Sequence, residues 1–244
     1  MSKIRRIDQL FNLNPTNDNK TGEKRKKKVP SQPPRSDKEL RDIIDDIFMR
    51  NRSLANCLMM QALTGLRFSD CSQLMYSDFY RNGVFVDRFE VIQQKTFGSR
   101  VTKRIKGKEL TNEQHQEIMR KAALEATVIV YTNESVKMLV EACHRENPKT
   151  EYLFANKNPK SKGYPIDIRN AEYHLRKTEA NLELNYQLRT HSFRKGFAMK
   201  MVDNQVSLVI VRDLLGHSNF EATNRYLSTI GSEMMAAVNQ LRYD

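Results

Sequence analysis

The sequence predicts a mainly α-helical fold with a small antiparallel β-sheet. Apolar residues recur at helical spacing along most of the chain, whereas Asn82-Gly83 followed by Val84 indicates a hairpin, and residues 127–131 form a second β-branched run. The chain has 244 residues, 39% of them hydrophobic and 29% charged. This length and composition are typical of one folded core with a tail rather than of a disordered chain.

The folded domain is expected to begin at Ser36. Ser36 and Glu39 have the spacing of a capping box, and the apolar residues that follow them fall on one helical face. The strand after Asn82-Gly83 is expected to run to Lys95, and the polar residues 98–126 form an atypical insertion without an assigned element. The expected helices are, in order, 36–48, 53–63, 69–74, 133–146, 167–182, 190–202, 207–215 and 220–228, followed by an apolar-spaced segment at 232–241.

The charge of the chain is concentrated near its N-terminus. The 41 basic and 29 acidic side chains leave a formal charge of +12, which points to a polyanionic partner, either nucleic acid or an anionic membrane surface. Residues 1–35 are expected to be a flexible basic arm that binds DNA, or else a solvated linker. Its densest run, which could also be a nuclear signal, consists of Lys24, Arg25, Lys26, Lys27 and Lys28.

Two further features restrict the class of protein. No apolar run approaches the roughly 18 residues of a membrane span, and the N-terminus lacks the apolar stretch of a signal peptide. The three cysteines, Cys57, Cys71 and Cys143, are odd in number and too far apart for a disulfide framework or a zinc site. A protein of a reducing compartment, without a metal and without a membrane partner, is therefore expected.

Three stretches contain residues that could act on an anion. Residues 190–201 place His191 and Arg194 on one face near a helix N-terminus, which attracts phosphate. Arg67 follows a Thr-Gly break between two helices, His217 follows a helix end, and Tyr226 lies on the next helix. Each residue alone has an ordinary alternative, such as a cap, a salt bridge or a core phenol.

Together the three stretches resemble the tyrosine recombinases, or phage-type integrases, over most of residues 53–228. The first catalytic arginine of that family lies in a motif similar to "TGLRFSD", which makes it Arg67 here. The His-x-x-Arg box of the family resembles "HSFRKGFA", with His191 and Arg194. The last box is similar to "LLGHSNFEATNRYL", in which Tyr226 is the nucleophile and His217 occupies a position of His or Trp.

The resemblance also implies a catalytic lysine on a β-hairpin turn between these boxes. The string "IQQKT" makes Lys95 the candidate, and Lys103 is a conceivable substitute. Asp70 occupies a position where the family often has an acidic residue that supports the arginines, although an N-cap role explains it equally well. The basic stretch after Lys95 suits a loop that lies along phosphates, with Arg100, Lys103 and Arg104 as candidate DNA contacts.

The function implied by the resemblance is site-specific DNA recombination through a covalent 3′-phosphotyrosyl intermediate. The two arginines would stabilise the charge that develops on the phosphate. His191 would accept the phenol proton of Tyr226, and Lys95 would protonate the departing 5′ oxygen. The resemblance implies the tyrosine recombinase catalytic-domain fold and a reaction that needs no cofactor or metal.

The expected partner is double-stranded DNA with a specific recombination site, held by a homotetramer on two duplexes. Residues 229–244 could pack on a neighbouring protomer or on their own domain. Residues 1–36 are too short for the core-binding domain of most family members. Either the catalytic domain and the basic arm grip DNA by themselves, or a separate DNA-binding protein supplies that part. The protein is expected to be cytoplasmic and DNA-associated, or nuclear in a eukaryotic host.

Three other functions remain open on the sequence alone. A type IB topoisomerase would use similar chemistry to relax DNA, and a catalytically silent relative would bind DNA without cleaving it. A basic RNA-binding protein is disfavoured because the chain lacks Gly-rich aromatic RNA motifs.

Overall fold

The computed structural model of the protein describes residues 30–217 together with Glu221 and Thr223. The basic run at 24–28, Tyr226 and the helices expected at 220–228 and 232–241 lie wholly or mostly outside the described residues. No helix within the described part is both long and apolar enough to cross a membrane.

The predicted mainly α-helical class is confirmed, with two small antiparallel sheets in place of one. The helices are α1 (Asp37–Phe48), α2 (Arg52–Thr64), α3 (Phe68–Cys71), α4 (Tyr76–Phe79), α5 (Gln94–Ile105), α6 (Asn112–Ala126), α7 (Glu134–Glu146), α8 (Ile168–Asn181), α9 (Thr190–Asp203) and α10 (Leu208–Leu215), with a short 3₁₀ turn at Pro159–Ser161. The strands are β1 (Tyr80–Arg81), β2 (Val84–Phe85), β3 (Arg88–Ile92) and β4 (Thr127–Tyr131).

Helix α2 is the centre of the main core. It packs against α1, α7 and α9, and its apolar side chains Leu54, Leu58 and Met60 are fully buried. The helix ends where the sequence predicts, at Gly65, which has the left-handed φ of 67°. A side chain there would also place its Cβ 2.5 Å from Cδ1 of Phe197, so only glycine fits between α2 and α9.

The predicted hairpin at Asn82-Gly83 is present. Both residues have positive φ, and the turn joins β1 to β2. The single strand expected to run to Lys95 is wrong, because β2 ends at Phe85 and β3 begins at Arg88. The two segments have different partners: β2 pairs with β1, whereas β3 pairs antiparallel with β4. Because β2 and β3 belong to two different sheets, the strand is interrupted between Phe85 and Arg88.

The insertion that the sequence left unassigned forms the helical pair α5 and α6, which joins β3 to β4. The two helices pack on each other through Phe97, Met119, Ala122 and Ala123, a small apolar cluster separate from the main core. Helix α6 begins with a capping box between Thr111 and Gln114. The basic stretch after Lys95 is therefore a helix and not the loop expected from its charge.

The last residues of the predicted arm lie on the domain. The Nζ atom of Lys195 donates to the backbone carbonyl of Ser31 at 2.6 Å, and the backbone N–H of Gln32 donates to the carbonyl of Gln187 at 3.1 Å. Pro33 is buried. Residues 30–35, the last part of the predicted arm, are thus held against α9 and the segment before it.

The described residues contain no group of His, Cys, Asp and Glu side chains that could hold a metal ion. Cys57, Cys71 and Cys143 are free thiols buried in the main core. They pack there as small apolar side chains.

Candidate active site

Arg194 lies at the centre of the candidate site. It is on the first turns of α9, which begins at Thr190 and has Arg189, rather than the expected Thr190, as its N-cap. The Arg194 side chain is fully buried and donates from Nη1 to the carbonyl of Gly65 and from Nη2 to the carbonyl of Leu215, each at 2.6 Å. One guanidinium therefore joins the C-terminal ends of α2 and α10.

His217 is in direct contact with this guanidinium. Its Nε2 atom lies 3.1 Å from Nη2 of Arg194, and its Nδ1 atom lies 3.0 Å from Oγ1 of Thr223. Because a guanidinium can only donate, Nε2 accepts, and the proton of the neutral ring resides on Nδ1. Burial and the charges of Arg194 and Arg67 lower the pKa of His217 to about 4, so the ring is neutral at pH 7.

His191 lies on the same side of the site, at the start of α9. One side of its ring is open to solvent, but the protein packed on the rest of it, together with the charges of Arg194, Lys95 and Arg67, lowers its pKa to about 4. These interactions place the predicted proton acceptor, both arginines and the lysine close to one another. The imidazole is therefore neutral at pH 7, and the positive charges around it make it a weak proton acceptor while no anion is bound.

Arg67 immediately precedes α3, in the bend between α2 and α3. The side chain is half-buried and donates from Nη1 to Oε1 of Gln93. Its charge acts on both histidines and on Asp70. The bend after Gly65 thus brings the guanidinium of Arg67 close to the two histidines on which the charge of Arg194 also acts.

Asp70 has a role that the sequence did not indicate. It is buried, and its Oδ1 accepts a hydrogen bond of 2.9 Å from the backbone N–H of Gln94 at the start of α5. Burial raises the pKa of its carboxyl group, while this hydrogen bond and the charges of Arg67 and Arg194 oppose the rise. The expected cap of its own helix is wrong, since Arg67 is the N-cap of α3. Asp70 instead holds the first turn of α5.

Lys95 lies in that first turn of α5 and not on a β-hairpin turn, which corrects the expected placement. Strand β3 ends at Ile92, and the hydrogen bond from Gln94 to Asp70 starts a helix where a hairpin was expected. The Lys95 side chain is exposed, and its charge acts on His191. Lys103 is eight residues further along the helix, or about 12 Å from Lys95 at 1.5 Å per residue.

Gln93 belongs to the site, although no catalytic motif singles it out. It is 1% exposed, and its Oε1 accepts from Arg67 and from Oγ1 of Thr96, the latter at 3.1 Å. Its Nε2 donates to the carbonyl of Leu215 at 3.0 Å. The only signal in the sequence is a glutamine at the end of an apolar strand, a position where a buried polar group requires partners.

The predicted DNA contacts on α5 fall into two groups. Arg100 and Arg104 both pair with Glu125 of α6, with the Arg104 pair at 2.7 Å. Their guanidinium groups therefore brace α5 against α6. Lys103, in contrast, is exposed on the same face of α5 as Lys95.

A groove of about 490 Å³ opens beside His217. It lies between β4, the start of α5, the end of α6 and helix α10, and exposed apolar side chains of Ile129, Tyr131 and Ile210 line it. Gln93 and Gly216 lie among its lining residues as well. The groove is thus continuous with the cluster of charged residues.

Solved structures share this fold. The crystal structure of XerA recombinase covers 88% of this chain with a TM-score of 0.58 at 17% identity, and 68% of that structure is matched. XerH site-specific recombinase, solved with its palindromic difH substrate in a post-cleavage complex, covers 87% of this chain with a TM-score of 0.55 at 16% identity, and 54% of that structure is matched. The fold is that of a tyrosine recombinase catalytic domain.

The sequence profile of the phage integrase family matches residues 37–230, which is most of the chain. This protein belongs to that family. Tyrosine recombinase XerC of Histophilus somni (strain 2336) is 30% identical over 96 residues, or 39% of this chain, and the match spans 31% of the relative. The matches to the curated relatives thus span a third of their length or less.

Proposed function

We propose that this protein is a site-specific DNA recombinase that breaks and rejoins DNA strands through a covalent 3′-phosphotyrosyl intermediate on Tyr226. The observation that carries the proposal is the convergence of Arg67, Arg194, His191 and His217 beside the helix that bears Lys95. These residues come from separate parts of the chain and form one positively charged, partly desolvated site.

The site suits a phosphodiester in several ways. The guanidinium groups of Arg67 and Arg194 can stabilise negative charge on the non-bridging oxygens as it develops in the transition state. The two lowered histidine pKa values reflect burial first and then the positive field of the nearby arginine and lysine side chains. A bound phosphate offsets that field and raises both pKa values, so that each imidazole becomes a better proton acceptor when the substrate is present.

The cleavage step balances without an external energy source. The phenol oxygen of Tyr226 attacks phosphorus while its proton passes to His191, and the bond from phosphorus to the 5′ oxygen breaks. Lys95 gives a proton to that oxygen, which leaves as a 5′ hydroxyl. In the reverse step another 5′ hydroxyl attacks the phosphotyrosine and restores a phosphodiester. The number of phosphoester bonds is unchanged throughout.

DNA contact is proposed on the exposed face of α5 as well as on the basic arm. Lys95, Ser99, Thr102 and Lys103 are all exposed and fall on one side of the helix. A stripe of lysines and small hydroxyl side chains that starts at the reactive centre can follow a phosphate backbone.

Replacing Lys103 by alanine should weaken DNA binding and reduce its salt slope by about one. The same change at Arg100, which pairs with Glu125, is the control and should leave the slope nearly unchanged.

A homotetramer on two DNA duplexes is the proposed assembly. The groove beside His217 has exposed Ile129, Tyr131 and Ile210 along it. The apolar positions of residues 229–244 recur at helical spacing, so this segment of a neighbouring protomer is the proposed occupant. Truncation after residue 228 should abolish pairing of duplexes while single-site binding persists. A truncated monomer that melts earlier instead would show that the segment packs on its own domain.

The activity is tested by covalent trapping. The protein is incubated with DNA from the region around its own gene, without added metal, quenched in detergent, and compared with the Tyr226→Phe variant. A DNA-linked protein band from the wild type alone is expected, and recombinant products distinguish recombination from simple relaxation. Binding by both proteins without a band from either would refute the enzymatic assignment and favour a silent DNA-binding relative.

A further inference from the structure

We propose that Gln93 is a positioning residue that holds Arg67 and the Leu215–His217 turn in one arrangement. This inference rests on the proposed recombinase function for its catalytic consequence. Gln93 uses both ends of its amide: Oε1 accepts from Arg67, and Nε2 donates to the carbonyl of Leu215. That carbonyl also accepts from Arg194, so the amide and the two guanidinium groups form one connected network.

The network is sterically tight around Gln93. A Cβ atom on Gly216 would lie 2.8 Å from Nε2 of Gln93 and 2.3 Å from Cγ1 of Val128. The turn that leads to His217 therefore rests directly on the amide. Because Gln93 is only 1% exposed, water has little access to replace its hydrogen bonds.

The same residue also joins this network to the helix that carries Lys95. Thr96 donates to Oε1 of Gln93 at 3.1 Å, and Asp70 accepts from the backbone N–H of Gln94. The start of α5 is thus attached to the site twice, by the side chain of Gln93 and by the backbone N–H of Gln94. Gln93 acts on the side of Arg67 and His217, whereas Asp70 holds the backbone just before Lys95.

The amide is chemically suited to this position. Arg67 requires an acceptor, and the Leu215 carbonyl requires a donor. A carboxylate at residue 93 would still accept from Arg67, although it would partly neutralise the charge of that guanidinium. Its second oxygen would lie against the carbonyl oxygen of Leu215, where Gln93 has a donor. A methionine of similar length would lose both hydrogen bonds without creating a large cavity.

The test compares Gln93→Met with the same change at Gln116, an exposed residue of α6. Cleavage by Gln93→Met should fall on the order of 100-fold, since a misplacement of about 1 Å in a reacting group costs that much. DNA affinity should be retained, and Gln116→Met should cleave at the wild-type rate. A wild-type rate for a folded Gln93→Met protein would overturn the proposal, as would a loss explained entirely by unfolding at the assay temperature.

A DNA substrate with sulfur in place of the bridging 5′ oxygen distinguishes the proposed role of Gln93 from that of Lys95. When sulfur replaces the bridging 5′ oxygen, the leaving group is a thiolate, whose conjugate acid has a pKa of about 8.5, and it departs without a general acid. Lys95→Ala should regain cleavage on this substrate, whereas Gln93→Met should stay impaired because its defect concerns charge on the phosphate. Full rescue of Gln93→Met would overturn the assigned role.

Histidine titration by NMR provides a readout that does not depend on cleavage. Gln93→Glu introduces negative charge beside Arg67, and the pKa of His217 should therefore rise; Gln116→Glu should leave it unchanged. If no protein forms a phosphotyrosyl complex, the proposed function fails and this titration still decides the role of Gln93. An unchanged His217 pKa in Gln93→Glu would overturn the positioning role in either case.

Discussion

Replacing Arg194 by alanine removes a structural support and, at the same time, the charge that is proposed to act in catalysis. Because the side chain is fully buried, the carbonyls of Gly65 and Leu215 lose donors that water cannot readily replace. An unsatisfied buried polar group costs about 1–3 kcal/mol. Because Gln93 still donates to the Leu215 carbonyl, only the Gly65 carbonyl carries this full cost, and the expected loss is about 1–3 kcal/mol.

The expected fall in thermal stability follows from this range. For a domain of this size each kcal/mol lowers Tm by about 2–4 °C, so a loss centred on about 2 kcal/mol should make Arg194→Ala melt about 6 °C below the wild type. Cleavage should fall about a thousandfold or more, as for other arginines that stabilise phosphoryl transfer. Scanning calorimetry and the covalent-trapping assay, both at a temperature where the variant is folded, measure the two effects separately.

Arg67 is the matched control. It is half-buried and its guanidinium bonds a side chain rather than two helix ends, so Arg67→Ala should lose cleavage with a much smaller fall in Tm. An unchanged Tm in Arg194→Ala would refute the structural part of the reasoning. Near-normal cleavage by that variant would refute the catalytic part.

Three further predictions concern the surroundings of the site. Gly216→Ala should destabilise the protein by roughly 1–3 kcal/mol in urea unfolding because its Cβ would lie 2.3 Å from Val128, whereas Gly98→Ala, with no neighbour within 4 Å, should not. The free energy of unfolding should fall as pH drops from 6.5 toward 4, because His191 and His217 bind protons in the unfolded chain before they do so in the folded one. His217→Asn should reduce this dependence without abolishing it, and an equal slope would contradict a contribution from His217. Glu125→Gln releases two arginines and should raise DNA affinity at low salt, which filter binding measures; unchanged affinity would place those arginines away from DNA.

Part of the site could be read from the sequence because it depends on local geometry. His191 and Arg194 share a face since they lie three residues apart at a helix start, and Gly65 and Gly216 end their helices in the left-handed conformation that glycine adopts most readily. Local spacing and turn chemistry are properties of short segments, so they predict these features without knowledge of the fold. The order of the motifs predicted the family as well.

Other features depend on which segments meet. Asp70 caps a helix that begins 24 residues later, Gln93 reaches the Leu215 carbonyl 122 residues away, and Glu125 pairs with arginines 21 and 25 residues before it. No local pattern in the sequence identifies such distant partners. The basic residues of α5 indicated a loop along DNA, because the sequence does not show that Arg100 and Arg104 pair with Glu125 on a neighbouring helix.

The sequence by itself determined the mainly helical class, the glycine-terminated ends of α2 and α10 and the residues proposed to act on a phosphate, since these follow from periodicity, caps and side-chain chemistry. Only the tertiary structure decided that Lys95 begins a helix, that Arg194 is buried between two helix ends, and that Gln93 joins them to Arg67. The physical reason is that a buried hydrogen-bonding group must find its partner wherever packing brings one within about 3 Å, and that partner can come from any part of the chain.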